Sequence, residues 1–130
     1  MSGETDLKTL LKSMNPIRND GEYVFCTLND YSFIDQKDMI MSFSEAEGTT
    51  IIVRKELADR FRLKYDYTAA WITLKVHSSL DAVGLTAAFS KALADKGISC
   101  NVVAGFFHDH LFVPFNDGEK AMEILHTVTL

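Results

Sequence analysis

Between Ala70 and Val76 the chain alternates strictly, with Ala70, Ile72, Leu74 and Val76 on one side and Trp71, Thr73 and Lys75 on the other. That period of two predicts a strand. A stripe at helical spacing follows, formed by Leu85, Ala88, Phe89, Ala92 and Leu93, and Gly97 supplies the stop. Asp81 is the expected N-cap of that helix, accepting from the backbone of Val83 or Gly84. Cys100–Phe106 and His110–Phe115 are rich in β-branched and aromatic residues around a short polar turn, which predicts a hairpin. A last helix is expected from Asn116, where Glu119 completes a capping box, with Ala121, Ile124, Leu125 and Val128 as its buried face.

The resulting β-α-β-β-α order is the ferredoxin-like plan without a firm fourth strand, since Thr127–Leu130 is too short to supply it. Helices should cover the face that holds Ile72, Leu74, Val76, Leu111 and Val113. Trp71 and Phe112 then fall on the opposite face, where an open sheet would rarely leave them to water. A cover from the N-terminal half or from a second chain is expected.

The N-terminal half is less regular. It predicts a short helix over Leu7–Met14, a strand over Glu22–Leu28, a hairpin of Met39–Ser44 with Thr50–Arg54 turning at Glu47 and Gly48, and a helix over Lys55–Leu63. Asn29–Asp38 reads as a loop where a ferredoxin-like unit has its first long helix. Any internal duplication is therefore degenerate.

Composition narrows the function classes. The chain has 130 residues, 47% apolar and 24% charged, the balance of an ordinary globule able to fold without disulfide or metal staples. Its net charge of −5 disfavours a nucleic acid or an anionic membrane as partner. The one basic run, from Arg54 to Lys64, is interrupted by Glu56 and Asp59 and reads as a solvated helix face. Cys26 and Cys100 fit no redox or metal spacing. Met1–Leu11 is polar rather than a signal peptide, and no apolar run approaches the ~20 residues a membrane span requires, so a reducing cytoplasm is expected.

The stretch also carries a family likeness. Asp81-Ala82-Val83-Gly84-Leu85 and Gly97-Ile98-Ser99-Cys100-Asn101 resemble the turn and strand start of ACT domains, the regulatory modules that bind amino acids in enzymes and sensors. The likeness covers residues 69–128. Val83 stands where the family's turn has proline, which leaves the loop less preset, while Gly84 still permits close backbone approach. Ser78-Ser79-Leu80 with Ala82–Ser90, and Asn101–Gly105 with His108–Pro114, further resemble a small bacterial group of stand-alone proteins of unknown function with paired ACT-like units. That group is similar to the ACT pair of Castor-type amino-acid sensors. The resemblance implies an α+β fold of two ferredoxin-like (βαββαβ) ACT-like units in tandem, residues 1–65 being the degenerate one and 66–130 the regular one. It implies an amino-acid ligand, a homodimer, and no cofactor or catalytic activity. ACT-like folds also serve as ligand-free dimerisation or protein-interaction modules, which is the alternative.

Backbone N–H groups at a helix start suit a ligand carboxylate, and an acidic side chain beside them can take an ammonium. Ser78, Ser79, Asp81, Ala82, Val83 and Gly84 are accordingly candidate ligand-binding residues. The family arrangement adds Asn101, Val102 and Val103 from the strand of an adjoining unit. Each has a plainer reading: Asp81 as cap, Gly84 as packing glycine, Asn101 as a turn residue at a strand edge. His108-Asp109-His110 could suggest a metal pair, with His77 or His126 as further ligands, or a contribution to the pocket. A structural turn with Asp109 at its centre is the simpler expectation. Glu45 and Glu47 read as a solvated hairpin end rather than an acid/base pair. No phosphate loop, nucleophile elbow or zinc-protease helix is present.

Overall fold

The computed structural model describes residues 6–75 and 83–128. It contains α1 (Leu7–Ser13), β1 (Asn15–Arg18), β2 (Tyr23–Leu28), β3 (Met41–Glu45), β4 (Gly48–Arg54), α2 (Lys55–Arg60) and β5 (Thr68–Lys75). These are followed by α3 (Leu85–Asp95), β6 (Asn101–Ala104), β7 (Asp109–Pro114) and α4 (Gly118–Val128). Short 3₁₀ turns occupy Gln36–Asp38 and Phe115–Asp117. The chain divides into a larger compact unit, Met1–Asp20 with Ala70–Leu130, and a smaller one, Gly21–Ala69.

In the larger unit the strands lie in the order β1, β5, β7, β6. Taking β5, β6 and β7 as first, second and third, this is the fourth-first-third-second order of a ferredoxin-like sheet. The fourth strand is the finding that the sequence pattern did not predict. It comes from the far N-terminus, where Asn15–Arg18 pairs antiparallel with Lys75–Ile72. Pro16 has no N–H to donate, and its place in a strand whose one partner among the described residues is β5 suits it. The preceding helix docks with it: Asp6 caps α1 by accepting from the Thr9 N–H at 3.1 Å. Leu10 is then fully buried and Met14 nearly so, in one core with Ala70, Ile72, Leu74, Phe89, Leu111 and Leu125. The expected helix-covered face is therefore observed at Ile72, Leu74, Leu111 and Val113; Val76 lies outside the described residues.

The smaller unit repeats the order as β5, β2, β4, β3, with only Thr68 and Ala69 of β5 pairing with β2. Its core is Val24, Cys26, Ile34, Ile51, Val53, Leu57 and Ala58. No α-helix lies between β2 and β3. The Asp30 carboxylate accepts from the Ser32 amide at 3.0 Å and from its hydroxyl at 2.7 Å, and Asp35 accepts from the Lys37 amide at 3.1 Å. Such local side-chain bonds favour turns over helix. Ile34, 5% exposed, is the buried apolar residue that this loop sends into the core.

Candidate ligand-binding site

The larger unit carries the residues predicted to hold a ligand. Ser78, Ser79, Asp81 and Ala82 lie outside the described residues. The helix expected to start after Asp81 starts at Leu85, with Gly84 as its N-cap residue at φ 98° and no side-chain cap. A Cβ at Gly84 would sit 3.1 Å from Leu7 Cδ2, so α1 packs closely against this turn and the backbone conformation itself favours glycine. Val83, in the position of the family's proline, is 82% exposed. Beyond it, the eleven-residue α3 presents the amides of its first turn.

Asn101, Val102 and Val103 form most of β6, the edge strand of this unit. Pairing with β7 sets their faces: Asn101 lies opposite Phe112, Val102 opposite Leu111 and Val103 opposite His110. Val102 therefore packs on the core that also holds Leu85, while Asn101 and Val103 turn to the other face. The three share the strand edge rather than one side-chain surface, which makes backbone groups their common resource.

The face shared by Asn101 and Val103 holds a polar-aromatic network. Trp71 stacks on Phe112, ring centroids 6.2 Å apart, and Phe112 is 1% exposed. The Trp71 Nε1–H donates to His110 Nδ1 at 3.0 Å. Indole nitrogen is a donor only, so Nδ1 accepts and the imidazole is neutral with its proton on Nε2. The Asn19 amide donates to Thr73 Oγ1 at 3.0 Å, and the Thr73 hydroxyl lies 3.1 Å from the same Nδ1, where it shares the single lone pair with the indole N–H. Protonating Nδ1 would set donor against donor. Burial, reinforced by the charge of His108, holds the His110 pKa below its ordinary value despite Asp109 beside it. The sequence singled out Trp71 and Phe112 for this face but missed Asn19 and Thr73. The available signal was the alternation that puts Thr73 beside Trp71.

The His108-Asp109-His110 expectation needs correction. The turn is closed by the Gly105 N–H donating to the His108 carbonyl at 2.9 Å, while Asp109 is already the first residue of β7 and is 8% exposed. Its carboxyl pKa is pushed up by burial, against the pull of His110 and His108. Alternation sends Asp109 to the Leu111 face and His110 to the Phe112 face. Among the described residues no group of three or more His, Cys, Asp or Glu could hold a metal ion. The Cys100 thiol is pushed up to about 11 by burial, which leaves it a poor nucleophile. Glu45 and Glu47 are exposed, with Glu45 accepting from the Thr50 hydroxyl within the hairpin.

This arrangement defines a class: an α+β chain of two ferredoxin-like units, with a glycine turn and an edge strand in the larger. Two ACT-domain family models match the chain, at residues 2–70 and at residues 67–127. The chain belongs to the ACT-domain family, whose modules are regulatory and commonly bind small molecules. It is similar to a solved protein of unknown function from Vibrio cholerae, described as a possible transport protein. The two are 42% identical, with 95% of this chain and 96% of that one covered and a TM-score of 0.86. A solved protein from Agrobacterium tumefaciens is 22% identical over 89% of each chain, with a TM-score of 0.68. The ligand-free regulatory subunit of aspartate kinase from Thermus thermophilus shares the fold, with a TM-score of 0.64 at 11% identity over 91% of this chain and 97% of that one. Among curated proteins no match is found. No helix among the described residues is long and apolar enough to cross a membrane.

Proposed function

We propose that this protein is a cytoplasmic regulatory module, a homodimer without catalytic activity, that binds an amino acid. The observation that carries the reading is the tandem ACT match, which spans both halves of the chain. On this reading the ligand carboxylate meets backbone amides at the positive end of α3, where Val83 and Gly84 lie, with Ser78, Ser79 and Ala82 as the further candidates from the sequence. Asp81 takes the ammonium, and the edge formed by Asn101, Val102 and Val103 supplies further backbone groups. The left-handed Gly84 and the edge position of β6 support this reading. A thermal-shift screen of the twenty common amino acids tests it. A ligand at a hundred times its Kd stabilises the folded state by about 2.7 kcal/mol, and the cognate amino acid should raise the melting temperature accordingly. If none does so at millimolar concentration, the amino-acid reading fails.

One observation favours the alternative, a ligand-free interaction module. Phe106 and Phe107 at the β6–β7 turn are 69% and 62% exposed, with rings in edge contact at 5.1 Å. That reading predicts self-association that ignores metabolites. Replacing both phenylalanines by serine would abolish it, and changes at Asp81 or Gly84 would not.

A further inference from the structure

The strand β3 closes one side of the smaller unit's sheet, and among the described residues β4 is the one strand that pairs with it. From Ser42 to Glu45 every residue is exposed, and Phe43 shows 63% of its surface. Edge strands that must stay single are commonly blunted by proline, by lysine or by a covering element. Met41-Ser42-Phe43-Ser44-Glu45 contains neither residue. The amino-acid reading draws on the β6 edge and leaves β3 without a role.

Pairing with β4 fixes which backbone groups β3 leaves over. Glu45 lies opposite Gly48 across the two-residue turn of Ala46 and Glu47. Such a closing pair exchanges both N–H···O bonds, because the other kind of antiparallel pair would need the two turn residues to bond each other. The two kinds alternate along a ladder, so Phe43 with Thr50 and Met41 with Ile52 are bonded pairs as well. Ser42 and Ser44, opposite Ile51 and Thr49, therefore aim their N–H and C=O groups away from β4. Side chains alternate too: Met41, Phe43 and Glu45 share one face, and Ser42 and Ser44 share the other.

We propose that β3 pairs antiparallel with β3 of a second copy of this chain, about a two-fold axis at Phe43, so that the smaller units of the two copies share one sheet. In that register Ser42 exchanges both bonds with the partner's Ser44, and Ser44 with the partner's Ser42. Phe43 meets the partner's Phe43 in a non-hydrogen-bonded pair, the kind in which side chains come closest. A second copy fits because the segment is its own complement: a serine flanks Phe43 on each side, as a two-fold contact requires. A register moved by two residues in either direction pairs one serine with its own copy and carries the other past the end of the strand. The chain's net charge of −5 does not oppose the pairing locally, since Glu45 falls opposite the partner's Met41 and the two carboxylates stand at opposite ends. Five residues a side are far fewer than the roughly 20–30 of a standard interface, so the association is weak. The proposal rests on the proposed homodimer and assigns the surface that forms it.

Sedimentation equilibrium without added amino acids, from about 10 μM to about 1 mM protein, tests it. The wild-type chain should pass from monomer toward dimer, and hydrogen exchange at the Ser42 and Ser44 amides should slow as the concentration rises. Phe43→Lys sets two cations face to face on the axis and should weaken association at least about tenfold, equivalent to about 1.4 kcal/mol. Phe43→Glu should do the same, and mixing the two variants should restore a dimer, which no loss of fold could imitate. Phe106→Ser combined with Phe107→Ser should leave association unchanged. A wild-type chain that stays monomeric throughout removes the homodimer and this interface together. A dimer that Phe43→Lys leaves intact, a mixture of the two charged variants that stays monomeric, or a dimer lost in the Phe106 and Phe107 variant overturns the interface alone. None of these results bears on amino-acid binding, which the thermal-shift screen decides separately.

Discussion

The two units share a strand order and complete it by different means. The larger takes its fourth strand and an extra helix from the first twenty residues, and it retains two eleven-residue helices, α3 and α4, over its sheet. The smaller takes its fourth strand from the first two residues of β5 and replaces one helix with a loop plugged by Ile34. A ferredoxin-like sheet therefore does not require that its four strands be consecutive or all long. It requires that one face be covered, by a helix where the chain offers one and by a single inserted side chain where it does not.

The contrast can be broken most severely at α1. Leu10→Ala empties a fully buried position in the larger unit and should cost about 2–5 kcal/mol in chemical denaturation, because the lost burial is compounded by a cavity. If the variant costs less than about 0.5 kcal/mol, in the range of ordinary surface substitutions, α1 does not belong to that core. The analogous Ile34→Ala tests whether the loop plug matters as much to the smaller unit, and a similar loss is expected there.

A smaller effect is expected at the aromatic face. His110→Leu leaves the Trp71 N–H and the Thr73 hydroxyl without their acceptor and should destabilise by about 1–3 kcal/mol. His110→Asn, whose side-chain oxygen can stand where Nδ1 is, should recover most of the loss. The pH dependence has a definite sign. The folded pKa of His110 is depressed, so between the unfolded value of about 6.5 and the folded one only the unfolded chain takes up the proton. Stability is therefore unaffected by this group above about pH 6.5 and falls as the pH drops below it. Subtracting the His110→Asn profile isolates the effect. Asp109 works in the opposite direction, because its raised pKa means stability is gained as acid protonates it.

The smallest of these effects is expected at Gly84→Ala. A side chain at φ 98°, with Leu7 3.1 Å away, should cost about 1–2 kcal/mol and displace α1 slightly. A neutral result by thermal denaturation would mean that the turn is free to rearrange.

How much of this was legible in the sequence follows from the length of each signal. β5, α3, the β6–β7 hairpin and α4 carry enough repeats of their period to be read directly, and the turn at Glu47 and Gly48 was marked by its glycine. β1 was not, because four residues containing a proline show no alternation and their partner lies more than fifty positions away. The cap of α3 was misplaced because Asp81 has the right chemistry, whereas the left-handed backbone of Gly84 is visible only in three dimensions. The aspartate at the β6–β7 turn was misread because a polar triplet between apolar runs looks like a tip, yet Asp109 begins the strand and is buried. The His110 network was illegible for a different reason. Its members, Asn19, Trp71, Thr73 and His110, come from three separate segments, and only strand pairing brings them together.

The central claim is that the Val83–Leu85 turn and the Asn101–Val103 edge take up an amino acid. It is tested most directly by an amide chemical-shift map of the intact chain, titrated with pooled amino acids at about 1 mM each, a concentration that detects affinities of about −4 kcal/mol or better. Shifts concentrated at Val83, Gly84, Leu85 and Asn101–Val103 are the predicted result. A map in which those amides stay still, whether or not others move, would contradict it.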